Sequence, residues 1–129
     1  MARIYRHIPR APDQHIGNVD PGSGRVYSEQ FGPDRYLGRV EYASGRVTHH
    51  RFGPDEYLGR VDDRGGVFRH RHGPDEYVGR VAPDGGLHLH RRLAPDEYVG
   101  RVEDMAHPVE GAAAILLFFL EAADSEAAE

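Results

Sequence analysis

Hydrophobic and polar residues alternate in short segments along most of the chain, and one long apolar run interrupts this pattern. The alternating segments are separated by steps that contain Gly and Pro, which is typical of short β-strands joined by tight turns. The apolar run covers residues 112–120. It is much shorter than the roughly 20 apolar residues that a membrane-spanning helix needs. The pattern therefore predicts a β-rich fold that buries one short apolar helix.

A single unit of 20 or 21 residues recurs five times before that helix. It reads Gly-Pro-Asp-x-Tyr-hydrophobic-Gly-Arg-Val, followed by a turn with Gly and a second short strand. The Pro-Asp pairs begin at residues 12, 33, 54, 74 and 95, and we number units 1 to 5 by these pairs. Such regular spacing indicates a repeat architecture.

Each unit predicts one β-hairpin. The predicted first strands are residues 15–20, 36–41, 57–62, 77–82 and 98–103, and the predicted second strands are residues 25–30, 46–51, 67–72 and 87–92. Unit 5 has no second strand, whereas residues 3–7 match the second strand of unit 1. We therefore expect the N-terminal strand to pair with the last strand and close a ring, which leaves no open edge.

The dimensions place the apolar helix inside this ring. Ten strands about 4.8 Å apart and tilted by about 40° enclose a radius of about 10 Å, and a helix with its side chains is about 10 to 12 Å across. The predicted fold class is all-β with one central helix, a closed pseudo-fivefold antiparallel barrel. We expect one domain, with the barrel at residues 3–103, the helix at 108–123 and an acidic tail at 124–129. Strand alternation predicts that the Tyr, Gly and Val of each first strand face inward.

Composition narrows the classes of function. The net charge is −5, but four acids lie in residues 121–129, so the other 120 residues hold 16 bases against 17 acids. A nearly neutral body argues against nucleic-acid binding, which depends on clustered positive charge. The chain has no Cys, and residues 1–10 lack the pattern of a signal peptide. We expect a cytoplasmic protein, with membrane association as a further option, and no cofactor.

Two columns of polar residues recur around the predicted ring. All 16 basic residues are Arg. Four of them form a candidate anion-binding column: Arg39, Arg60, Arg80 and Arg101. The alternative is that each Arg pairs with the Asp of a neighbouring Pro-Asp turn, or with a nearby Glu, and stacks on Tyr. A second candidate site is a polar ring at the ends of the second strands: His7, Glu29, His50, His70 and His90.

We do not expect the polar ring to hold a metal or the chain to be an enzyme. Adjacent columns of such a barrel would lie roughly 12 Å apart, too far for one ion to bind several of them. The paired acids of the Pro-Asp-Glu-Tyr turns, such as Asp55 and Glu56, point apart in an extended turn. No serine lies in a Gly-x-Ser-x-Gly motif.

The short hairpin repeats together with the apolar C-terminal run resemble the β-flower families. These families are similar in plan to the tubby-like C-terminal domain, a closed barrel threaded by a hydrophobic C-terminal helix. Tubby-like domains bind phosphoinositide head groups through basic residues, so the resemblance implies lipid recognition. We expect a non-enzymatic binding module for lipid head groups, other anions or a protein partner at one rim. The alternative is a structural or assembly protein that acts through protein-protein contacts of the repeat turns.

Overall fold

Ten antiparallel strands close into a barrel around one helix in the computed structural model, which describes residues 1–29, 34–51, 53–71 and 73–120. The first strands of the units are β2 (Gln14–Val19), β4 (Arg35–Glu41), β6 (Glu56–Val61), β8 (Glu76–Val81) and β10 (Glu97–Glu103). The others are β1 (Ala2–Arg6), β3 (Arg25–Ser28), β5 (Arg46–His49), β7 (Gly66–Arg69) and β9 (Gly86–Leu89). The predicted fold class is confirmed.

The second strands are shorter than predicted, with four residues each. They end where the chain turns toward the next Pro-Asp step. The predicted strand ends at Gln30 and His72 lie outside the described residues, as do the predicted helix residues 121–123 and the acidic tail at 124–129.

The N-terminal strand closes the ring as predicted. β1 pairs with β10 on one side and with β2 on the other, so Ile4 lies opposite both Val102 and Gly17. An ion pair of 2.6 Å between Arg3 Nη2 and Glu103 Oε1 joins the first and last strands. Both sides of β1 are thus hydrogen-bonded, and the two termini of the barrel meet at one seam.

The barrel has two chemically different ends. We call the end that carries Asp13, Asp34, Asp55, Asp75 and Asp96 the Pro-Asp end. The opposite end, the hairpin end, carries turns in which Gly24, Gly45, Gly65 and Gly85 have positive φ angles between 74° and 94°. At four places a Val N–H donates to the carbonyl of one of these glycines, as from Val40 to Gly24 at 2.8 Å. These bonds link neighbouring units.

The helix enters the barrel at the hairpin end and runs toward the Pro-Asp end. It consists of α1 (Pro108–Ala114), followed by a π-helical segment (Ile115–Phe119). Near the hairpin end a ring of buried Val side chains surrounds Gly111 and three alanines. A Cβ at Gly111 would lie 2.6 Å from Val81 Cγ1, so only a small helix residue fits there.

The wider π-helical segment fills a second layer, where the strands carry glycine. A Cβ at Gly17 would lie 2.5 Å from Phe118 Cζ, and one at Gly100 would lie 3.0 Å from Phe119 Cζ. Leu116 and Ile115 approach Gly59 and Gly79 in the same way. The predicted inward position of the Gly and Val columns is confirmed, and the apolar helix occupies the lumen.

The tyrosine column lies on the outer wall, so its predicted inward position is wrong. A β-bulge precedes each glycine, because two residues of the first strand lie opposite one residue of its neighbour, as at Val26/Tyr27 against Gly38/Tyr36. The extra residue, Leu37 in unit 2, packs against the core. The bulge reverses the alternation and turns Tyr outward, and Tyr77 and Tyr98 are accordingly 37% and 39% exposed.

A buried acid anchors the helix at the hairpin end. Glu110 is fully buried, and its Oε1 accepts hydrogen bonds from the N–H groups of Ala106 (2.6 Å) and His107 (3.3 Å). The Tyr42 hydroxyl donates to its Oε2 at 2.7 Å. Burial, and then the hydrogen bond to Glu110, raise the pKa of Tyr42, which therefore stays a donor. Because Tyr42 occupies a hairpin turn, this bond fixes the helix start to unit 2.

Gly59→Ala tests the steric fit between strand and helix. The new Cβ would lie 2.1 Å from the Phe68 carbonyl oxygen and 3.1 Å from Leu116 Cδ1. We expect the free energy of unfolding to fall by about 2 kcal/mol, measured by chemical denaturation with circular dichroism. Gly22→Ala is the control, because its Cβ would meet only Asp20 Oδ1 at 3.5 Å. Equal stability of the two variants would contradict the fit.

Tyr42→Phe tests the helix anchor. Removing the hydroxyl leaves one oxygen of a buried carboxylate without its donor, which costs about 1 to 3 kcal/mol of stability. Tyr77→Phe is the matched control, since Tyr77 is 37% exposed and its hydroxyl has no hydrogen-bond partner in the described part of the chain. Thermal unfolding of both variants should show a lower midpoint for Tyr42→Phe alone.

Candidate functional site

The two predicted columns of candidate residues lie side by side on the outer wall, and the Asp of the next Pro-Asp turn joins them. In unit 3, Asp75 Oδ1 lies 3.1 Å from His70 Nδ1, and Asp75 Oδ2 accepts a hydrogen bond from Arg60 Nε at 3.2 Å. The ring of Tyr57 packs on His70 with 5.0 Å between centroids. We call this arrangement an Asp-His-Arg cluster. It bridges two neighbouring units outside the barrel.

The cluster recurs around the ring. Asp96 contacts His90 at 3.4 Å and Arg80 at 3.5 Å. Asp13 contacts His7 at 3.3 Å and Arg101 at 3.0 Å, across the seam. In unit 2, Asp55 contacts His50 at 3.4 Å, and Arg39 makes no ion pair with any described residue. Arg60, Arg80 and Arg101 thus pair with the Asp of a neighbouring Pro-Asp turn, which is the alternative to anion binding that the sequence offers for this column. A role of the column in anion binding stays a prediction.

Sequence reasoning treated the two columns separately and missed their connection. The signal was present in the repeat, since Arg, His and the next Pro-Asp follow one another in units 2 to 4, and His7 and Asp13 supply the last two for unit 5. Unit 1 departs from it with Asn18 and Glu29. There, His15 Nδ1 lies 3.1 Å from Glu29 Oε2, and Asn18 Nδ2 donates to the same oxygen at 3.3 Å. Unit 1 therefore also has a His-acid contact on the outer wall, with Glu29 as the acid in place of an Asp.

These contacts favour the ionised form of Asp13 and Asp75. The hydrogen bond from Arg101 lowers the pKa of Asp13, and the contact with His70 lowers the pKa of Asp75, in both cases against the opposing effect of desolvation. Arg101 also donates to Glu103 at 2.6 Å and lowers the pKa of that carboxyl group. The seam between β1 and β10 therefore carries a network of ion pairs.

The polar ring does not converge on a common point. Its histidines stack on separate tyrosines, with His50 on Tyr36 at 4.7 Å and His90 on Tyr77 at 5.1 Å. Across residues 1–29, 34–51, 53–71 and 73–120, no group of three or more His, Asp or Glu side chains could hold a metal ion.

A cleft at the Pro-Asp end lies where strands β4 and β5 leave the barrel. Its volume is about 640 Å³. It is lined by Arg35, Tyr36, Leu37, His49, His50, Arg51 and Gly53. Arg35 stands where units 3, 4 and 5 have Glu in the Pro-Asp-Glu-Tyr step. A second cleft of about 530 Å³ repeats the arrangement in unit 3, with Glu56, Tyr57, His70 and Arg71. Sequence reasoning missed both clefts, because a cleft is defined by side-chain positions in three dimensions, and it did not weigh the single substitution at Arg35.

The two ends of the barrel expose different uncompensated charges. At the Pro-Asp end, Arg10, Arg35 and Arg92 are exposed and make no ion pair among the described residues. Among the described acids at this end, only Asp34 is likewise exposed without an ion pair. The hairpin end exposes three acids and three bases without ion pairs to described residues: Glu41, Asp63, Asp84, Arg25, Arg46 and Arg64. Among the described residues, cations without ion pairs therefore exceed such acids at the Pro-Asp end but not at the hairpin end.

Helices of membrane-spanning length and hydrophobicity are absent from the described part of the chain. Comparisons with protein-family models, with curated proteins and with solved structures find no match to this chain.

Acid unfolding tests the Asp-His-Arg clusters. The folded pKa of Asp75 lies below its ordinary value of 3.8. Its stabilising contribution is therefore complete above that value and is lost as the pH falls through the folded pKa. We expect Asp75→Asn to lower stability at pH 5 and to flatten the decline toward pH 2, measured as the urea midpoint. Asp34→Asn, which removes an exposed carboxylate without an ion pair to described residues, should follow the wild type. If the urea midpoints of both variants depended on pH in the same way, the Asp-His-Arg clusters would not contribute to stability.

Proposed function

We propose that the chain is a non-enzymatic binding module that recognises anions, lipid head groups among them, at its Pro-Asp end. The observation that carries this proposal is the presence of three exposed arginines, Arg10, Arg35 and Arg92, without ion pairs in the described part of the chain. Guanidinium groups are planar, always charged and suited to bidentate contacts with phosphate and carboxylate. Arginines that stabilise the fold are paired or stacked, so these three are available to a ligand.

The construction of the barrel supports a role in binding at a surface. Ile115 and the three preceding alanines are completely buried, and the helix fills the lumen from the hairpin end. The interior is therefore packed, and recognition falls to the ends and the wall. A closed barrel with a central C-terminal helix is also the plan of the tubby-like domain, which supports membership of a β-flower type of fold and lipid head groups as the ligand class.

The alternative function is assembly through the turns at the Pro-Asp end. Leu93 favours it, because this side chain is 99% exposed in the turn that precedes unit 5. Its backbone has a φ of 63°, which is uncommon for a residue other than Gly. Concentration-dependent oligomers that Leu93→Ser abolishes, without any binding of anions, would support assembly.

Vesicle flotation tests the proposed function. We expect the protein to float with anionic but not neutral vesicles, more weakly at high salt, since exposed charges are screened. Arg10→Gln, Arg35→Gln and Arg92→Gln combined should abolish flotation. The control combines Arg25→Gln, Arg46→Gln and Arg64→Gln, which removes the same charge from the hairpin end and breaks no ion pair to a described residue. Because Arg25 and Arg46 stack on Tyr36 and Tyr57, flotation of this control is compared below its own melting temperature.

The same assay decides the role of the arginine column. Arg60→Gln, Arg80→Gln and Arg101→Gln break the ion pairs to Asp75, Asp96 and Asp13. We expect a lower melting temperature with flotation retained below it. Loss of flotation at an unchanged melting temperature would instead assign the lipid contact to the column. Absence of flotation in the wild type under every condition would exclude the lipid proposal.

A further inference from the structure

We infer that the cleft between β4 and β5, lined by Arg35, Leu37, His49 and Arg51 among others, binds a phosphomonoester group. This inference rests on the proposed function and deepens it, because it names one site and one chemical class of ligand. The cleft volume of about 640 Å³ is in the range of small-molecule sites. Four of its seven described lining residues are Arg or His, so nitrogen donors dominate the polar surface that these residues form.

Acidic neighbours that do not line the cleft contact two of its side chains, Arg51 and His50. Glu56 pairs with Arg51 through Nη1 only, which leaves most of the five guanidinium N–H donors of Arg51 for a ligand. Asp55 lies 3.4 Å from His50 Nδ1, and the His50 ring packs on Tyr36 at 4.7 Å. The Nε2 atom of His50 is thus the nitrogen left for a ligand. Preorganised side chains lose less entropy on binding than free ones.

Arg35 supplies the charge that these neighbours do not neutralise. It is exposed, makes no ion pair with a described residue and opens strand β4 at the edge of the cleft. A phosphomonoester carries nearly two negative charges at pH 7 and presents three acceptor oxygens. Two guanidinium groups and two imidazole rings match this ligand better than they match a phosphodiester, which has one charge.

The floor of the cleft fits the carbon frame of such an ester. Leu37 is the extra residue of the β-bulge and packs against the core, so its position is rigid. Tyr36 lines the cleft beside it, and its ring already contacts His50 and Arg25. An organic group attached to the phosphate can pack on Leu37 while the phosphate meets the arginines.

The neighbouring cleft shows what the substitution at Arg35 changes. In unit 3 the corresponding position is Glu56, beside Tyr57, His70 and Arg71. A carboxylate at this edge repels a phosphate, so the two clefts have Tyr, His and Arg at corresponding positions but differ in charge at this one. The cleft of unit 3 therefore serves as an internal comparison, and the single substitution Arg35→Glu would give the cleft between β4 and β5 the same charge at this position.

Titration with phenyl phosphate, followed by the amide NMR signals of the intact chain, tests the site. We expect shifts centred on residues 35–37 and 49–51, with phenyl sulfate binding more weakly because it has one charge. Arg35→Glu should weaken phenyl phosphate binding by about tenfold to a hundredfold, the loss expected for charged hydrogen bonds. Arg35→Lys should retain part of the affinity, and Arg64→Glu, the same charge reversal at the hairpin end, should bind as the wild type.

The source of the phosphomonoester is resolved by a second arm with vesicles. Flotation with phosphatidic acid in preference to phosphatidylglycerol, inhibited by phenyl phosphate and lost in Arg35→Glu, supports a lipid ligand in the cleft. Phenyl phosphate binding without flotation supports the cleft with a soluble ligand. Unchanged phenyl phosphate affinity in Arg35→Glu, or shifts centred elsewhere, overturns the cleft. Flotation that depends on Arg10 and Arg92 would then leave the proposed function standing.

Discussion

The fold depends on a steric match between two rings of strand residues and one helix. Where the strands carry valine, the helix carries Gly111 and Ala112–114, and where the strands carry glycine, the helix carries Ile, Leu and Phe. Large strand residues thus face small helix residues, and small strand residues face large helix residues. Because a shift of the helix along the barrel axis would break this match, the pattern of side-chain sizes fixes the depth at which the helix lies. The buried Glu110 and its Tyr42 donor then fix the rotation of the helix.

The π-helical segment follows from the fivefold repeat. Neighbouring units are related by about 72°, whereas an α-helix advances by about 100° per residue and drifts out of register with them. The wider turn, closed by the bond from the Leu120 N–H to the Ile115 carbonyl, spans five residues. Ile115, Leu116, Phe118 and Phe119 meet the glycines of units 4, 3, 1 and 5. Four of the five units thus each receive one side chain of this segment.

Much of this architecture could be predicted from the sequence because the information repeats. Five copies of one pattern revealed the strand order, and the unmatched strand at residues 3–7 revealed the closure of the ring. The position of Tyr could not be predicted, because a β-bulge is defined by the partner strand and leaves no local signature in Tyr36-Leu37-Gly38. The role of the glycines was predicted in part. The nearest obstacle to a side chain is usually the carbonyl of the hairpin partner, such as Thr48 O for Gly38, and the helix comes second.

For the candidate site, the sequence predicted the two columns of polar residues. Their link through Asp and the cleft at Arg35 could not be predicted, because both depend on side-chain positions in three dimensions.

The seam between β1 and β10 cannot form until most of the chain has been synthesised. Arg3 pairs with Glu103, which is translated 100 residues later, and the helix that fills the lumen is translated after that. Until then, β1 offers an unsatisfied edge, and the valines that will line the lumen face water. Hairpins formed early can associate with one another, but they cannot close around an absent plug. An unpaired strand edge and apolar side chains in water favour aggregation, so the growing chain carries this risk until the helix, its last described segment, fills the barrel.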